Sequence, residues 1–378
     1  MTPLNILAPA SWYPSKVDPF VGNFVKRHCE AIATIHNVWV VFVASVETKS
    51  EERIEKSSLG NLTEIIIYQK PTNNDIFANF KKRKAVFEVI RDLDVKFDLI
   101  HAHFIFPLAP MFEYFSEKLG IPWVFTEHWS GFHKKFRPKT KHLKWKWVMN
   151  AGKSARMSFP VSENLRDAMK IEFPDQEMIL VPNVVEDVFF SSEKKESSDQ
   201  TSRFLHVSNL VEEFKNLRGT LEALAILRRE GIDFQFQIIT DGDASQAKKW
   251  VEDLGLTDRV TFKGSADTGQ IAEAMTTSDA LILFSNTENQ PCVVLESLAV
   301  GLPVIASSVG DIPNLVTEKS GLISLPGDVN QLAENLKLFI SRKESYEAKE
   351  VSLGALESFS KEAVGQKYSE AYAKILNL

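Results

Sequence analysis

Glu288 and Glu296 are the residues whose types and spacing first indicate chemistry in this sequence. Glu288 lies in a polar loop after the short apolar run 280–284, which is typical of a strand buried in a parallel sheet. Glu296 lies in the second turn of a helix that begins near Pro291 and ends at Gly301. At this spacing, one carboxylate can accept hydrogen bonds from the hydroxyls of a sugar while the other reaches a ribose.

The amino end of this helix offers N–H groups and a positive dipole to an anion. Two isolated glutamates would ordinarily be a solvated loop residue and a surface helix residue. The buried strand before them and the small-residue loop after them favour a ligand site, because open α/β sheets bind ligands at the carboxyl ends of their strands. The predicted contacts are Glu288, Asn289, Gln290, Pro291, Cys292 and Glu296.

Residues 287–316 resemble the donor-site signature of the retaining glycosyltransferases of family 4, also called glycosyl transferases group 1. The positions that match its pattern are Glu288, Glu296, Gly301, Pro303 and Gly310. Many members have glycine where this chain has Pro291. The resemblance implies the GT-B architecture, an α/β fold in which two Rossmann-like domains with parallel sheets face each other across a cleft.

Length and composition are consistent with two domains. At 378 residues with 44% hydrophobic content the chain can bury two cores, and strand and helix patterns alternate in both halves. We predict an N-terminal acceptor-side domain at 1–187, a polar linker at 188–202 and a C-terminal nucleotide-sugar-binding domain at 203–360. By the resemblance, the helix at 361–378 packs back on the N-terminal domain.

Charge and cysteine content exclude several protein classes. The formal charge of −6 is concentrated in the second half of the chain, which argues against a nucleic-acid partner. Cys29 and Cys292 have no disulfide or metal spacing, and no apolar run is long enough for a membrane span. Since no signal-peptide pattern is present either, we expect a soluble cytoplasmic protein.

The first half contains a glycine-containing loop and three histidines of interest. Gly22 and Asn23 open the first helix, where glycine permits a close backbone approach and the helix end favours phosphate. The family's corresponding loop closes on the donor diphosphate and the acceptor. His101, His103 and His128 could supply metal ligands. The resemblance instead implies that His128 hydrogen-bonds the donor sugar and that His103 faces the acceptor.

The second half contains a loop that resembles the family's diphosphate-binding loop. Lys215 matches its lysine, and an ammonium there suits a pair of phosphates. Asn209 stands where the family has an arginine, so either Asn209 binds phosphate as a neutral donor or another cation such as Arg218 replaces it. Asp241 and Asp243 could be a manganese motif. The resemblance favours a nucleotide-contacting turn and no required metal.

Residues 133–156 contain nine lysines or arginines and no acidic residue, interleaved with aromatic and aliphatic residues. This pattern is typical of a peripheral membrane surface. The alternatives are a basic wall beside the diphosphate, or a solvated helix whose tryptophans pack in the core. If the surface formed by 133–156 docks on an anionic membrane, the cleft would face a lipid-linked or membrane-embedded glycan acceptor at the inner face of that membrane.

The combined prediction is a metal-independent retaining glycosyltransferase that moves a hexose-type sugar from a nucleoside diphosphate to an acceptor hydroxyl in cell-surface glycan synthesis. Glu288, His128 and Lys215 would be catalytic, and no cofactor beyond the nucleotide-sugar substrate is expected. Retention would proceed by same-face attack. The alternatives are a nucleotide-sugar epimerase of the same architecture and a non-catalytic nucleotide-sugar binder, which the change to Asn209 favours.

Overall fold

The structure, a computed structural model, describes residues 2–71, 75–137, 142–195 and 201–378. The chain divides into two compact units. The first contains Met1–Val184 and Lys361–Leu378, and the second contains Val185–Ser360. Each unit is built on one sheet, as expected for a chain with two α/β domains.

The first unit has a seven-stranded sheet in the order β3-β4-β2-β1-β5-β6-β7, parallel except for β3. The buried strands are rich in Val, Ile and Phe, as parallel sheets covered on both faces require. The elements in chain order are β1 (Asn5–Ala10), α1 (Asn23–Ala33), β2 (Asn37–Ser45), β3 (Arg53–Leu59), β4 (Leu62–Gln69), α2 (Asp75–Arg91), β5 (Leu99–His103), α3 (Ala109–Leu119), β6 (Trp123–Glu127), α4 (His142–Gly152), β7 (Ser158–Pro160) and α5 (Glu163–Lys170).

Strand β3 is an element that the sequence analysis did not predict. Its sequence, RIEKSSL, is mostly polar, and its residues are almost all exposed. It pairs antiparallel with β4 at the edge of the sheet. Because neither face of such an edge strand is buried, it has no apolar alternation that could identify it.

The second unit has a six-stranded parallel sheet in the order β10-β9-β8-β11-β12-β13. The strands and helices predicted from the alternating pattern are present there. The elements in chain order are α6 (Asp187–Phe190), β8 (Ser202–Val207), α7 (Glu212–Lys215), α8 (Leu217–Arg229), β9 (Phe234–Ile239), α9 (Ser245–Asp253), β10 (Val260–Lys263), α10 (Thr268–Thr277), β11 (Ala280–Leu283), α11 (Cys292–Val300), β12 (Val304–Ser307), α12 (Ile312–Leu315), β13 (Gly321–Ser324), α13 (Val329–Arg342), α14 (Ala348–Val351) and α15 (Ala355–Phe359).

The last helix, α16 (Lys361–Leu376), belongs to the first unit and packs on α1. A Cβ at Gly365 would lie 2.2 Å from the carbonyl oxygen of Ala31, so the two helices meet with almost no space between their backbones. Lys361 is 3.2 Å from Glu30 at one end of this contact. The division between the units lies after Val184, a few residues before the predicted linker 188–202, whose first residues belong to α6.

Each sheet has one point at which the strand order reverses. In the first sheet it lies between β1 and β5, and in the second between β8 and β11. The loops that follow these strands diverge to opposite sides, which leaves a crevice at the carboxyl edge of the sheet. Most of the predicted site residues lie in loops at these two points.

Candidate functional site

Lys215 and Glu288 form an ion pair across the reversal point of the second sheet. Lys215 ends α7, which follows β8, and Glu288 lies in the loop after β11. The Nζ of Lys215 lies 2.6 Å from Oε1 of Glu288, and the two side chains are 20% and 10% exposed. The hydroxyl of Ser285 donates to the same oxygen at 2.8 Å. A cation and a carboxylate are thus held together where an α/β sheet binds its ligand.

Two glycines bring loops at this edge of the sheet into close contact. A Cβ at Gly310, where φ is +58°, would lie 2.3 Å from the carbonyl oxygen of Glu288. A Cβ at Gly242 would lie 2.0 Å from the carbonyl oxygen of Asn209. The loops after four strands therefore pack backbone against backbone, and a side chain at either glycine would push them apart.

Asn289 and Gln290 are both tied to Asp311, a residue that the sequence analysis missed. The N–H of Asp311 donates to the carbonyl of Asn289 at 2.8 Å. The amide of Gln290 donates to Oδ2 of Asp311 at 2.8 Å. The sequence signal that could have identified Asp311 is its position directly after Gly310, which matches the family pattern. These bonds fix the loop that carries Glu288.

Glu296 lies in the second turn of α11 and is only 6% exposed. The alternative of a surface helix residue is therefore wrong for Glu296, because its side chain is buried. Acidic side chains are seldom buried without a partner. Pro291 is the N-cap of α11, with φ −71°, and Cys292 is its first residue. Proline here removes no hydrogen bond from the helix.

The other predicted phosphate contacts have partners of their own. The side-chain oxygen of Asn209 accepts from the N–H of Val211 at 3.3 Å. Arg218 bonds Glu222 on its own helix at 3.0 Å and is 61% exposed. The guanidinium of Arg218 is thus paired along α8 and is largely exposed to solvent.

Asp243 accepts a hydrogen bond at 2.9 Å from the N–H of Ser245, the first residue of α9. Hydrogen bonds from the side chain and the backbone N–H of Ser245, together with the nearby Lys248, hold the pKa of Asp243 below its usual range. Within the described ranges, no group of three or more His, Cys, Asp or Glu side chains is arranged to hold a metal ion.

Gly22 is the N-cap of α1 and adopts φ +71°. A Cβ there would lie 2.6 Å from the backbone of Trp12 and of Tyr13. The close backbone approach predicted at Gly22 is therefore a contact within its own loop, with the backbone of Trp12 and Tyr13. Asn23 is the first residue of the helix.

His28, His101, His103 and His128 form a cluster at the reversal point of the first sheet. The rings of His101 and His103 stack with centroids 4.8 Å apart, as their shared strand face predicts. Nδ1 of His103 lies 3.3 Å from Nε2 of His128. His101 is hydrogen-bonded to Thr126 at 2.7 Å and to a tyrosine hydroxyl on α16. Its nitrogens are used by these hydroxyls, so the geometry does not favour the metal hypothesis.

Asn183 and His28 are further members that the sequence analysis did not name. The side-chain oxygen of Asn183 lies 3.1 Å from Nδ1 of His128 and 3.2 Å from Nε2 of His28. Asn183 lies after α5, near the end of the first unit, whereas His28 is a polar residue within an amphipathic helix. Only the folded structure places these two beside His128.

Burial keeps the cluster neutral near pH 7. Burial lowers the pKa of His28 from its ordinary value of 6.5 to about 4. It also holds the pKa of His101 and of His103 well below their usual range. His128 is partly exposed and has a lowered pKa as well, with burial as its first cause and the neighbouring His28 as its second.

Glu127, directly before His128, is fully buried. Its carboxylate accepts from the N–H groups of Ile105, His128 and Trp129 at 3.3, 3.0 and 3.0 Å. These bonds favour the charged form, but burial outweighs them and raises the pKa of Glu127 to about 7. Through these hydrogen bonds, Glu127 holds the backbone of the loops after β5 and β6 in place beside the histidine cluster.

Aromatic rings cover the outer side of His128. The centroids of Phe24 and Phe104 lie 4.9 and 5.2 Å from that of His128. Trp12 packs on Phe104 with centroids 5.0 Å apart and is 49% exposed. His103 is only 1% exposed, so Trp12 offers a ligand more accessible surface than His103 does.

The basic stretch 133–156 includes α4, and its residues 138–141, with Lys139 and Lys141, lie outside the described residues. Trp145 is buried in the core of the first unit, as the core-packing alternative predicts. Leu143 and Trp147, one turn apart on α4, are 77% and 60% exposed. The helix thus presents an apolar pair among lysines. None of the helices in the described parts of the chain is long and apolar enough to cross a membrane.

Two family profiles match the sequence. Residues 21–188 match "Glycosyltransferase Family 4" and residues 187–350 match "Glycosyl transferases group 1". One relative is the putative teichuronic acid biosynthesis glycosyltransferase TuaC of Bacillus subtilis, 28% identical over 66% of this chain and 63% of that protein. Another is the amylovoran biosynthesis glycosyltransferase AmsK of Erwinia amylovora, 33% identical over 38% of this chain and 37% of that protein. The chain thus spans less than two thirds of these relatives.

Solved structures share the fold over nearly the whole chain. Sucrose-phosphate synthase from Thermosynechococcus elongatus superposes with a TM-score of 0.78 at 17% identity, covering 99% of both chains. Anabaena HepE, crystallised with UDP, superposes with a TM-score of 0.76 at 17% identity, covering 98% of this chain and 100% of its own. At this low sequence identity, the superpositions show that these proteins share the fold of this chain.

Proposed function

The chain belongs to the group 1 and family 4 glycosyltransferases, and from that premise we propose that it transfers a sugar from a nucleoside diphosphate to an acceptor hydroxyl. The observation that carries this proposal is the Lys215–Glu288 pair at the reversal point of the second sheet. Lys215 suits a diphosphate and Glu288 suits sugar hydroxyls, and the two groups are in contact.

The donor is proposed to be a UDP-hexose and the product part of a cell-surface glycan. HepE has been crystallised with UDP and with UDP-glucose, which supports uridine as the base. TuaC and AmsK are described as enzymes of teichuronic acid and amylovoran synthesis, which supports a polymeric glycan acceptor.

We propose that the reaction retains the anomeric configuration by same-face attack. The bond between the anomeric carbon and the β-phosphate oxygen breaks, and its electron pair stays on the leaving diphosphate. The acceptor oxygen bonds to the anomeric carbon, and its proton passes to that phosphate oxygen. Glu288 is held by Lys215 and Ser285, which supports a binding role for its carboxylate rather than nucleophilic attack.

Charge stabilisation of the leaving group is proposed to come from Lys215 without a metal. The ammonium would exchange part of its contact with Glu288 for the diphosphate, which frees the carboxylate for the sugar. Asn209 adds a neutral group where the family has a cation. Asp243 already accepts from the N–H of Ser245 at the start of α9, which supports a structural role for that turn.

In the first unit, His128 is proposed to accept a hydrogen bond from a hydroxyl of the transferred sugar at Nε2, in exchange for its 3.3 Å contact with Nδ1 of His103. Trp12 offers a half-exposed ring 5.0 Å from Phe104, and such a face suits the C–H side of an acceptor sugar. His103 packs behind His128, with ring centroids 5.6 Å apart.

A thermal-shift screen of UDP-, GDP- and ADP-sugars tests the donor assignment. A ligand at about 100 times its Kd stabilises the folded protein by about 2.7 kcal/mol. Lys215→Met should weaken UDP binding by about tenfold or more, because a hydrogen bond to a charged group is worth about 1.5–3 kcal/mol.

Lys337→Met is the matched control for Lys215→Met. Lys337 is 24% exposed and is paired with Glu230 at 3.1 Å, so it resembles Lys215 in burial and pairing. The control should bind UDP like the wild type. Equal UDP binding by Lys215→Met and the wild type would remove Lys215 from the site.

NMR of the reaction with the stabilising nucleotide sugar separates the functions. With acceptor, a transferase quickly releases nucleoside diphosphate and joins the sugar to the acceptor with retained anomeric configuration; with water alone, it slowly releases nucleoside diphosphate and free sugar. A new nucleotide sugar formed without acceptor would establish an epimerase instead. Binding with neither product would establish a non-catalytic binder.

We also propose that α4 docks on an anionic membrane surface. The support is the exposed pair Leu143 and Trp147 beside Lys144 and Lys146. Apolar side chains enter the interface, and each basic residue near such a surface adds about 1 kcal/mol.

Liposome co-sedimentation tests this docking. Binding should rise with anionic lipid content, fall with salt, and weaken when Lys139, Lys141, Lys144 and Lys146 are changed together to Gln. Leu143→Ser with Trp147→Ser should also weaken it. Leu353→Ser with Leu356→Ser is the control, since these leucines of the second unit are 83% and 57% exposed. Wild-type protein that stays in the supernatant at low salt would exclude docking.

A further inference from the structure

Ser285 is a buried serine in the loop that follows β11, and Glu288 lies in the same loop. Ser285 is 0% exposed, and its carbonyl accepts a hydrogen bond from the hydroxyl of Ser307, the last residue of β12. Its own hydroxyl donates to Oε1 of Glu288 at 2.8 Å. Ser285 is thus held between two neighbouring strands and directs its proton at the carboxylate that is proposed to bind the sugar.

The two oxygens of the Glu288 carboxylate have different surroundings. Oε1 accepts from Nζ of Lys215 at 2.6 Å and from the hydroxyl of Ser285 at 2.8 Å, which uses both of its lone pairs. Oε2 has no hydrogen-bond partner among the residues that the structure describes, and it is open to solvent. Oε2 is therefore the oxygen that can accept from a sugar hydroxyl.

Other contacts already fix the backbone on both sides of this carboxylate. The N–H of Asn286 donates to the carbonyl of Phe214 at 2.7 Å, which joins the loop after β11 to α7. The N–H of Asp311 donates to the carbonyl of Asn289 at 2.8 Å. These bonds do not fix the rotation of the Glu288 side chain, so the orientation of its carboxylate depends on the two donors to Oε1.

Only one of these two donors keeps its contact when a nucleotide sugar binds as proposed. Lys215 is 20% exposed, and its ammonium then turns in part to the diphosphate. Ser285 is 0% exposed, so its hydroxyl cannot reach the diphosphate and stays on Oε1. Ser285 is therefore the donor that remains at the moment when Glu288 must bind the sugar.

We propose that Ser285 is a positioning residue that holds Oε1 of Glu288 and thereby keeps Oε2 turned toward the sugar of a bound donor. The role rests on the proposed function, in which Glu288 contacts the sugar and Lys215 the diphosphate. In the free protein, Ser285 shares the carboxylate with Lys215. In the complex it allows Glu288 to recognise the sugar while Lys215 is engaged by phosphate.

Isothermal titration of the full-length protein with UDP and with UDP-glucose tests this role. UDP lacks the sugar that Oε2 would bind, so the ratio of the two dissociation constants isolates the contribution of the sugar. Ser285→Ala should weaken UDP-glucose about tenfold more than UDP, because the carboxylate no longer presents Oε2 in one orientation. A serine with only a structural role would change both constants by the same factor, and an unchanged ratio would overturn the proposal.

Ser278→Ala is the matched control. Ser278 lies just before β11, is 5% exposed, and donates one hydrogen bond at 2.8 Å, to the carbonyl of Ala274. It thus resembles Ser285 in burial and bonding but lies at the opposite end of the same strand. The ratio of the two constants should stay at the wild-type value in this variant. A control that changes the ratio as much as Ser285→Ala does would also overturn the proposal.

Glu288→Ala shows whether Ser285 acts through the carboxylate. Ser285→Ala should change the ratio in the wild-type background and leave it unchanged in the Glu288→Ala background, because the group that it orients is then missing. An equal effect in both backgrounds would mean that Ser285 acts independently of Glu288, which contradicts a positioning role.

Hydrogen exchange of the backbone amides of 285–290 in the ligand-free protein tests the same contact without a donor. With Lys215 present, Glu288 keeps one hydrogen-bond donor after Ser285→Ala, so exchange should rise little. In the Lys215→Met background, Ser285→Ala removes the last donor. Exchange should then rise several-fold more, because the shielded carboxylate must turn outward to water and open the loop. Equal increases in both backgrounds would show that Ser285 does not hold Glu288.

The two measurements separate this role from the proposed function. If the wild type binds neither UDP nor UDP-glucose, the proposed function fails, and hydrogen exchange still decides whether Ser285 holds Glu288. If the wild type binds both and Ser285→Ala leaves their ratio unchanged, the proposed function stands and the positioning role is wrong.

Discussion

Lowering the pH from 7 to 5 should destabilise the first unit through its buried histidines. His28, His101 and His103 are 0, 0 and 1% exposed. Burial lowers the pKa of His28 to about 4 and holds the other two well below their usual range. In the unfolded chain these rings titrate near 6.5. Their stabilising effect is therefore complete above pH 6.5 and is lost as the pH falls toward the folded-state values.

Glu127 acts in the opposite direction over the same interval. Burial raises its pKa from 4.5 to about 7, so the folded unit binds a proton there that the unfolded chain releases. Its effect on stability is fully present below pH 4.5 and is lost as the pH rises through 7. Between pH 7 and 5 the folded unit therefore binds about one proton more at Glu127 than the unfolded chain does, which offsets part of the loss of stability at the histidines.

The slope follows from the proton difference. Near pH 5.5 the three histidines of the unfolded chain bind roughly three more protons than the folded ones, and Glu127 offsets one. A net uptake of about two protons on unfolding corresponds to a loss of about 3 kcal/mol of unfolding free energy per pH unit. The lowered pKa values of His128 and His36 add to the same slope.

Tryptophan fluorescence in urea measures this unit selectively. Of the seven tryptophans, all but Trp250 lie in the first unit. The unfolding free energy from these curves should fall steeply between pH 6.5 and 5. Glu127→Gln removes the offsetting group, so its slope should be steeper by about 1.4 kcal/mol per pH unit. A fluorescence-detected stability that is constant from pH 7 to 5 would refute neutral burial of the cluster.

Three further predictions concern the second unit. Glu296→Ala should lower donor affinity or turnover by about tenfold, because it removes a charge-assisted hydrogen bond, and wild-type kinetics would contradict this. Chelation by EDTA should leave turnover unchanged, and a loss that manganese or magnesium restores would favour Asp241 and Asp243 as metal ligands. Gly310→Ala should abolish stabilisation by UDP, because its Cβ would lie 2.3 Å from the carbonyl of Glu288, whereas Gly327→Ala, with φ +78° and open space, should cost only stability.

The strands and helices that position the site could be predicted because their patterns are local. The run 280–284 predicted β11, and Gly301 and Pro303 predicted the end of α11 before β12. Parallel strands bring their carboxyl ends to one edge, so the neighbourhood of Lys215 and Glu288 follows from fold class and motif. Their direct contact does not follow, since it depends on how the loop 285–291 folds around Ser285 and Gly310.

Residues of the histidine cluster outside the motifs could not be predicted from local pattern. His28 occupies a buried position of an amphipathic helix, where a polar residue gives no indication of its partner. Tyr368 lies on the last helix, and its contact with His28 depends on the close packing at Gly365. The edge strand β3 was missed for a different reason, since its two exposed faces leave no alternation to detect.

The Lys215–Glu288 pair also explains how one cation can serve at a position where the family has two. Without ligand, Glu288 neutralises Lys215 and holds its ammonium at 2.6 Å in a largely shielded position. A buried cation without such a partner would be costly. An incoming diphosphate must therefore compete with Glu288, and a free phosphate gains less from this exchange than a nucleotide sugar, whose hydroxyls give the released carboxylate new donors. If Lys215 and Glu288 hold the donor as proposed, the pair favours the complete donor over its parts, and Asn209 adds no second charge that would retain the diphosphate after transfer.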